Sequence, residues 1–408
     1  MTEVAEAPAS RSLWWVGIEA VTLSAVSFVV LAALARSLDP EAFGRAATAL
    51  AIVQIACSVV EALFMDALAQ RRDLDEPQRR GAHTLSAGVA LAVTLGLVLW
   101  GWVGAGSVAY WVALMAPSIA CTGLTAVPLA MLRRRLALRE AALLMGVARV
   151  SAGALAIALL AGGAGVWGLV AHQNLSALLL VVALQARGHA VLTGWGPSAP
   201  ARPLLRFAFV NTLHGVLTSN RARLFQLGSA LVMPARVVGE LALALRLVEM
   251  LAAVVVTGVA RAALVHFSEA AYAGRRIGPE FLTLTRRFAA LAIPVFAFVA
   301  ALGVPLVQLV GDRSWLSAAG LVAAFAIAQA LRSPVYLGAT LFAAQGRPQL
   351  NVFIVAVELA SLAVLTLWWR DPMAWLGRLA FTLPLTMWLL QRWADVPALA
   401  LLLSLIHI

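Results

Sequence analysis

Five arginines stand inside long apolar runs of this sequence: Arg149, Arg221, Arg223, Arg246 and Arg332. A guanidinium stays charged throughout the physiological range and presents a planar fork of donors, so its natural chemistry is oxyanion binding rather than acid–base catalysis. The stretch SNRARLFQ (219–226) puts two of them in the middle of LLRFAFVNTLHGVLTSNRARLFQLGSALV, otherwise a good membrane-spanning helix. Each arginine at a helix centre costs roughly 2.5–3.5 kcal/mol on insertion, while a Leu or Val returns only a few tenths. Four readings are open: a mis-drawn span, snorkelling, a structural ion pair, or a negatively charged ligand. Arg246 and Glu249 stand three apart on one helix and could neutralise each other. Arg221 and Arg223 lie about 200° apart around a helix, so both cannot face one cavity.

Polar residues in the same runs are candidates to line a cavity: Glu19, Gln173, Asn174, Asn211, His214, Asn220, Glu249 and Glu358. Depth along the helices suggests two layers. An inner one holds Glu19, Arg149, Arg332 and Glu358, and a more central one Arg221, Arg246 and Glu249. His172 and His214 are isolated, which argues against metal ligation, and Cys57 and Cys121 both fall in apolar runs, giving no disulfide framework. There is no nucleophile–base pair, no P-loop and no nucleotide-binding glycine pattern. The sequence therefore nominates no catalytic residues, no cofactor and no enzymatic activity.

These residues must be positioned by membrane helices. The chain has 408 residues, 62% hydrophobic and 12% charged, with mean hydropathy +0.92. Continuous apolar runs of about 20 residues recur, long enough to cross a bilayer as helices and unlike the alternation of a β-barrel. Spans are expected near 13–35, 43–69, 81–103, 108–131, 141–161, 165–187, 207–231, 237–262, 288–310, 316–340, 350–369 and 374–391. The fold class is an all-α integral membrane protein with about 12 transmembrane helices.

The formal charge of +11 does not point to nucleic acid. All 30 basic residues are arginine, and they cluster in short loops as topology signals do. With the N-terminus inside, the inner loops hold most of them, whereas the outer ends hold Arg36, Arg45, Arg236, Arg313, Arg370 and Arg378. All 13 tryptophans fall near span ends, as interfacial belts do.

The two halves look related. LDPEAFGRAATAL between the first two spans resembles VMPARVVGELALAL between the seventh and eighth, and IACTGLTAVPLAM pairs with IAQALRSPVYLGA. Six spans per half is an even number, so the repeat is parallel. The expected organisation is a cytoplasmic tail (1–12), an N-terminal six-helix lobe (13–187), a cytoplasmic linker (188–206), a C-terminal six-helix lobe (207–393) and the start of a further span (394–408). The closing LSLIHI (403–408) matches one frame of a sequencing-adapter end, so the last six residues are expected to be non-native.

LARSLDPEAFGRAATALAIV resembles the AR-x-LGP-x-x-FG segment of the polysaccharide flippases in the multidrug/oligosaccharidyl-lipid/polysaccharide exporter superfamily. ALAQRRDLDE (67–76), LRRRLALRE (132–140), GAGVWGLVAHQ (163–173), LLRFAF (204–209) and AAQGRPQ (343–349) follow that family's pattern in order, covering about 13–393. The resemblance implies a two-lobe, V-shaped, MATE-like bundle working by alternating access in the bacterial inner membrane. It implies a polyprenyl-diphosphate oligosaccharide as substrate, for lipopolysaccharide O-antigen or exopolysaccharide biosynthesis. The arginines would then hold the diphosphate, with Arg149, Arg221, Arg223, Arg246 and Arg332 as substrate-binding residues, and the polar companions would hold sugar hydroxyls. One departure stands out: the family's Asp five residues before the seventh-span glycine is Arg223 here, ahead of Gly228. Membrane lipids are further partners, a coupling cation and polysaccharide-assembly proteins are allowed, and a monomer is expected. A drug or organic-cation antiporter of the same superfamily is the alternative, but it needs an acidic pocket. A polysaccharide polymerase or ligase needs a large outer loop that the span map does not provide.

Overall fold

The computed structural model describes residues 24–70, 74–198, 215–273, 277–394 and 396–397. Glu19, Asn211, His214 and the closing hexapeptide lie outside the described residues, as do 199–206 of the expected linker. All regular structure among the described residues is helical. Eight helical stretches are long and apolar enough to cross a membrane. Seven coincide with expected spans, whereas Ile277–Ala301 starts 11 residues before the expected 288–310, whose end forms the separate helix Gly303–Val310. The protein is a multi-pass helical membrane protein.

The chain forms two compact units, 1–224 and 225–408. The first contains α1 (Ser24–Ser37), α2 (Pro40–Gln70), α3 (Glu76–Val103), α4 (Ser107–Met115), α5 (Pro117–Arg134), α6 (Leu138–Ala161) and α7 (Val166–Ala186). Residues 215–219 are also helical and lead, through a turn at Asn220, into α8 (Arg221–Val232). The second unit holds α9 (Ala235–Tyr272), α10 (Ile277–Ala301), α11 (Gly303–Val310), α12 (Ala318–Arg332), α13 (Gly338–Ala344), α14 (Pro348–Trp369), α15 (Ala374–Gly377) and α16 (Leu379–Ala394).

In the first unit α5 packs on α2, α3 and α7. The α3–α5 crossing is close because Gly123 has no side chain: a Cβ there would sit 2.3 Å from Ala90 Cβ and 2.8 Å from Ser86 O. Ser86 Oγ uses that proximity to donate to Gly123 O at 2.9 Å. In the second unit α12 packs on α9 and α10, α13 on α9 and α14, and α14 on α16.

Local chemistry explains the helix starts, and it carries the repeat. Pro40 sits at the first position of α2, where its missing N–H costs nothing, and Asp39 Oδ1 caps the turn by accepting from Ala42 N at 2.7 Å. In both α2 and α9 a glycine follows four residues after the first: Gly44 and Gly239. The second and sixth residues of each helix form an i,i+4 ion pair of opposite order, Glu41–Arg45 at 2.7 Å and Arg236–Glu240 at 3.2 Å. The related positions thus keep the pairing and exchange the signs.

Two features differ from the sequence expectation. Trp315 is fully buried, with its ring beside Gly311, and Trp375 is 6% exposed. These two fill the interior of the second unit, whereas Trp102, Trp368 and Trp388 stay exposed as a belt requires. The described part of the linker, 188–198, is fastened to α3: His83 Nε2 bonds to Val191 O at 2.8 Å, and the Thr84 hydroxyl exchanges hydrogen bonds with the Gly196 backbone. Gly196 fits there because a Cβ would meet Arg80 Cβ at 2.6 Å.

Candidate functional site

In the first unit the polar residues gather around the turn at Asn220. That residue is fully buried, and its Nδ2 donates to Val216 O at 2.9 Å, a short-range bond that competes with helix continuation. One turn on, Arg223 donates from Nε to Gln54 Oε1 at 2.8 Å and from Nη1 to Asn220 Oδ1 at 3.0 Å. Ser58 Oγ donates to the same Asn220 oxygen at 3.4 Å. Gln54, Ser58 and Glu61 follow the i, i+4, i+7 spacing that puts them on one face of α2. Neutral acceptors therefore orient the Arg223 guanidinium, at the position where the resembling family carries an acid. Arg221, two residues earlier, is also partly buried.

Gln173 and Asn174 serve a different purpose. Pro117 interrupts the helical hydrogen-bond pattern between α4 and α5. Asn174 Nδ2 reaches Leu114 O at 2.8 Å, and Gln173 Nε2 reaches Ser118 Oγ at 3.1 Å, which in turn donates to Met115 O at 2.7 Å. The two amides stitch α7 to the break. Arg149 is exposed on α6.

In the second unit a charged cluster forms where α12, α14 and the α15–α16 junction meet. Glu358 is the eleventh of the 22 residues of α14, roughly 15 Å from either end. It is 2% exposed, as deep as any carboxylate among the described residues. Arg378 Nε donates to Glu358 Oε1 at 2.8 Å, and Arg332 Nη1 lies 3.9 Å from the same oxygen. Arg378 Nη1 also donates to Trp375 O, and its Cζ sits 3.5 Å from the Trp375 ring centroid. Trp375 is in turn held between Phe225 and Phe325, with centroids at 5.2 and 6.2 Å. Arg332 lies over Tyr336, with Cζ 5.4 Å from the ring centroid. Arg246 is partly buried and Glu249 exposed on α9.

The structure thus brings Arg332 and Glu358 together, and separately Arg223 and Asn220. Sequence reasoning missed Arg378, which counts there with the outer arginines although only 1% of it is exposed. The available signal was its apolar flank, AWLGRLAF, inside an expected span. Gln54 was missed as well, though it shares a helix face with Ser58 and Glu61.

Comparison with known proteins follows the same lines. The profile of a family described as polysaccharide biosynthesis protein matches residues 33–320. No curated protein matches significantly. Among solved structures, the lipid II flippase MurJ in an inward closed conformation superposes with a TM-score of 0.77 at 11% identity, covering 97% of this chain and 90% of that one. An inward-facing multidrug resistance MATE family transporter of the MOP superfamily gives 0.69 at 14% identity, over 90% and 94%. A MOP superfamily transporter from Pyrococcus furiosus, whose binding pocket is described as of reverse polarity, gives 0.58 at 16% identity, over 97% and 95%. The solved structures establish the fold, that of MOP-superfamily transporters, and the profile establishes the lineage: this chain belongs to the polysaccharide biosynthesis protein family.

Proposed function

We propose that this protein moves a polyprenyl-diphosphate oligosaccharide from the inner to the outer leaflet of the bacterial cytoplasmic membrane, by alternating access, for cell-surface polysaccharide assembly. The observation that carries the reading is Arg223. A guanidinium in the first turn of α8, within a run long enough to span the membrane, is held by Gln54 and Asn220. A diphosphate loses its water on entering the membrane and needs fork-shaped donors to replace it, which arginine supplies better than lysine. Membership of a polysaccharide biosynthesis family and a fold shared with a lipid II flippase support the same substrate class.

Arg221 and Arg149 in the first unit, and Arg246 and Arg332 in the second, are further candidates for phosphate contact, with Glu249 as an exposed polar neighbour. Asn220 and Glu358 act through the arginines they hold, and Gln173 and Asn174 through the α4–α5 break. Glu19, Asn211 and His214 complete that proposal from the sequence alone. The loop arginine asymmetry supports a cytoplasmic N-terminus in this reading. An organic-cation antiporter would want an accessible intramembrane carboxylate, and Glu358, the most buried among the described residues, is already engaged by Arg378.

The test is reconstitution of the full chain in liposomes carrying a fluorescent polyprenyl-diphosphate oligosaccharide, with leaflet accessibility followed over time. Protein-dependent movement of the diphosphate lipid, with no movement of a neutral lipid bearing the same sugar, is the expected result. Equal movement of both lipids, or of neither, contradicts the reading.

A further inference from the structure

An intramembrane carboxylate is by default a candidate site for an exchangeable cation, because its charge cannot stay uncompensated in a low-dielectric interior. Glu358 meets that description by depth and burial. Its compensation, however, is part of the chain. Arg378 reaches it from twenty residues away, with Nε 2.8 Å from Oε1.

The guanidinium is fixed on its other sides too. Nη1 donates to the Trp375 carbonyl, and Cζ lies 3.5 Å from the centroid of the Trp375 ring. That ring is braced by Phe225 and Phe325. Gly377 lets the Trp369 ring close over the turn before Arg378, since a Cβ there would stand 2.6 Å from Trp369 Cζ3. Arg332 adds a second positive charge 3.9 Å from the same carboxylate oxygen. A metal cation approaching Glu358 would have to enter against two guanidinium groups.

We propose that Arg378 is a tethered counter-cation, occupying beside Glu358 the place an exchangeable cation would otherwise fill, so that the second unit runs its transport cycle without taking up a metal cation at this carboxylate. This rests on the transport reading above, yet the site can be tested without transport. Removing the guanidinium should convert the position into a binding site for a soluble cation of the same shape.

The experiment measures thermal unfolding of the full chain in detergent, with choline, sodium or low-millimolar guanidinium as the chloride salt. Arg378→Ala is expected to gain about 2 °C or more with guanidinium through mass-action stabilisation. Wild type and the Glu358→Gln/Arg378→Ala double variant should not respond. An unresponsive Arg378→Ala, or a double variant that responds as strongly, overturns the proposal. Should Arg378→Ala fail to purify, Glu358→Gln/Arg378→Gln decides. Loss of both charges is expected to restore a monodisperse protein, and failure of that variant too would show that Arg378 does something other than neutralise Glu358. In liposomes, wild-type transport should agree within about twofold between sodium and choline, the span of ordinary medium effects. A tenfold loss in choline contradicts the tethered cation, whereas no transport in either buffer contradicts the flippase reading and leaves the unfolding result to decide the site.

Discussion

Arg378 and Glu358 meet at 2.8 Å, their side chains each only 2% exposed, although one sits at the junction of α15 and α16 and the other at the centre of α14. Desolvating two such charges is unfavourable, and their attraction offsets that only while both are present. Arg378→Ala should therefore cost about 3–5 kcal/mol, and Glu358→Gln/Arg378→Gln should recover most of it. Thermal unfolding in detergent, followed by tryptophan fluorescence, compares the two; equal losses would show that the pair contributes packing and not charge balance.

Gly377 sets the approach of Trp369 to the turn that carries Arg378. Since the atoms a Cβ would strike belong to a bulky ring at 2.6 and 2.8 Å, the ring or the turn must shift. Gly377→Ala is expected to destabilise by about 1–3 kcal/mol, the usual range for overpacking. A melting temperature within error of wild type would mean that the turn relaxes freely.

The two ion pairs at related positions of α2 and α9 should differ in strength despite their shared spacing. Glu41 and Arg45 are both exposed, so Arg45→Ala should change stability by no more than about 0.5 kcal/mol. Glu240 is 8% exposed and accepts from Ser317 Oγ at 2.6 Å as well as from Arg236. Glu240→Ala leaves those donors without their acceptor and should cost about 1–3 kcal/mol. The same unfolding assay ranks them, and the reverse order would sink the argument from burial.

Residues 188–198 are held to α3 by His83 and Thr84. Thr84→Val removes the donor and acceptor that meet Gly196, at 2.8 and 3.0 Å. Losing about 1 kcal/mol of local stability raises the open population roughly fivefold. Limited proteolysis should accordingly cut this segment about five times faster in the variant, and an unchanged rate would mean that other contacts hold it.

Much of this architecture was legible in the sequence because helices announce themselves through local chemistry. Apolar runs of bilayer length gave most of the spans, and the likeness of LDPEAFGRAATAL to VMPARVVGELALAL suggested the repeat, whereas the start of α2 at Pro40 lies three residues ahead of the expected span. Arg223 was visible as a charge in the wrong medium. Its partner Gln54 was not, since a hydrogen bond across 169 residues leaves no periodic trace. Arg378 was obscured for a related reason: loop counting assigns an arginine by its distance from a span end, while a long side chain can turn inward. Residues 188–198 read as a linker from their glycine and proline content, but Gly194 and Gly196 are close-approach positions against the local backbone and Arg80. Gln173 and Asn174 look like cavity residues until the Pro117 break supplies them with carbonyls and hydroxyls to bind.

The claim that Arg223 meets the diphosphate is tested most directly by lipid movement in liposomes, comparing wild type, Arg223→Ala, Arg223→Lys and Gln54→Leu. A charge-assisted contact worth about 1.5–3 kcal/mol predicts a loss of roughly tenfold or more for Arg223→Ala. Arg223→Lys should recover only part of the rate because an ammonium lacks the fork. Gln54→Leu should fall between them, since it keeps the charge and loses its orientation. Equal rates for wild type and Arg223→Ala, in protein shown to be folded, would contradict the account.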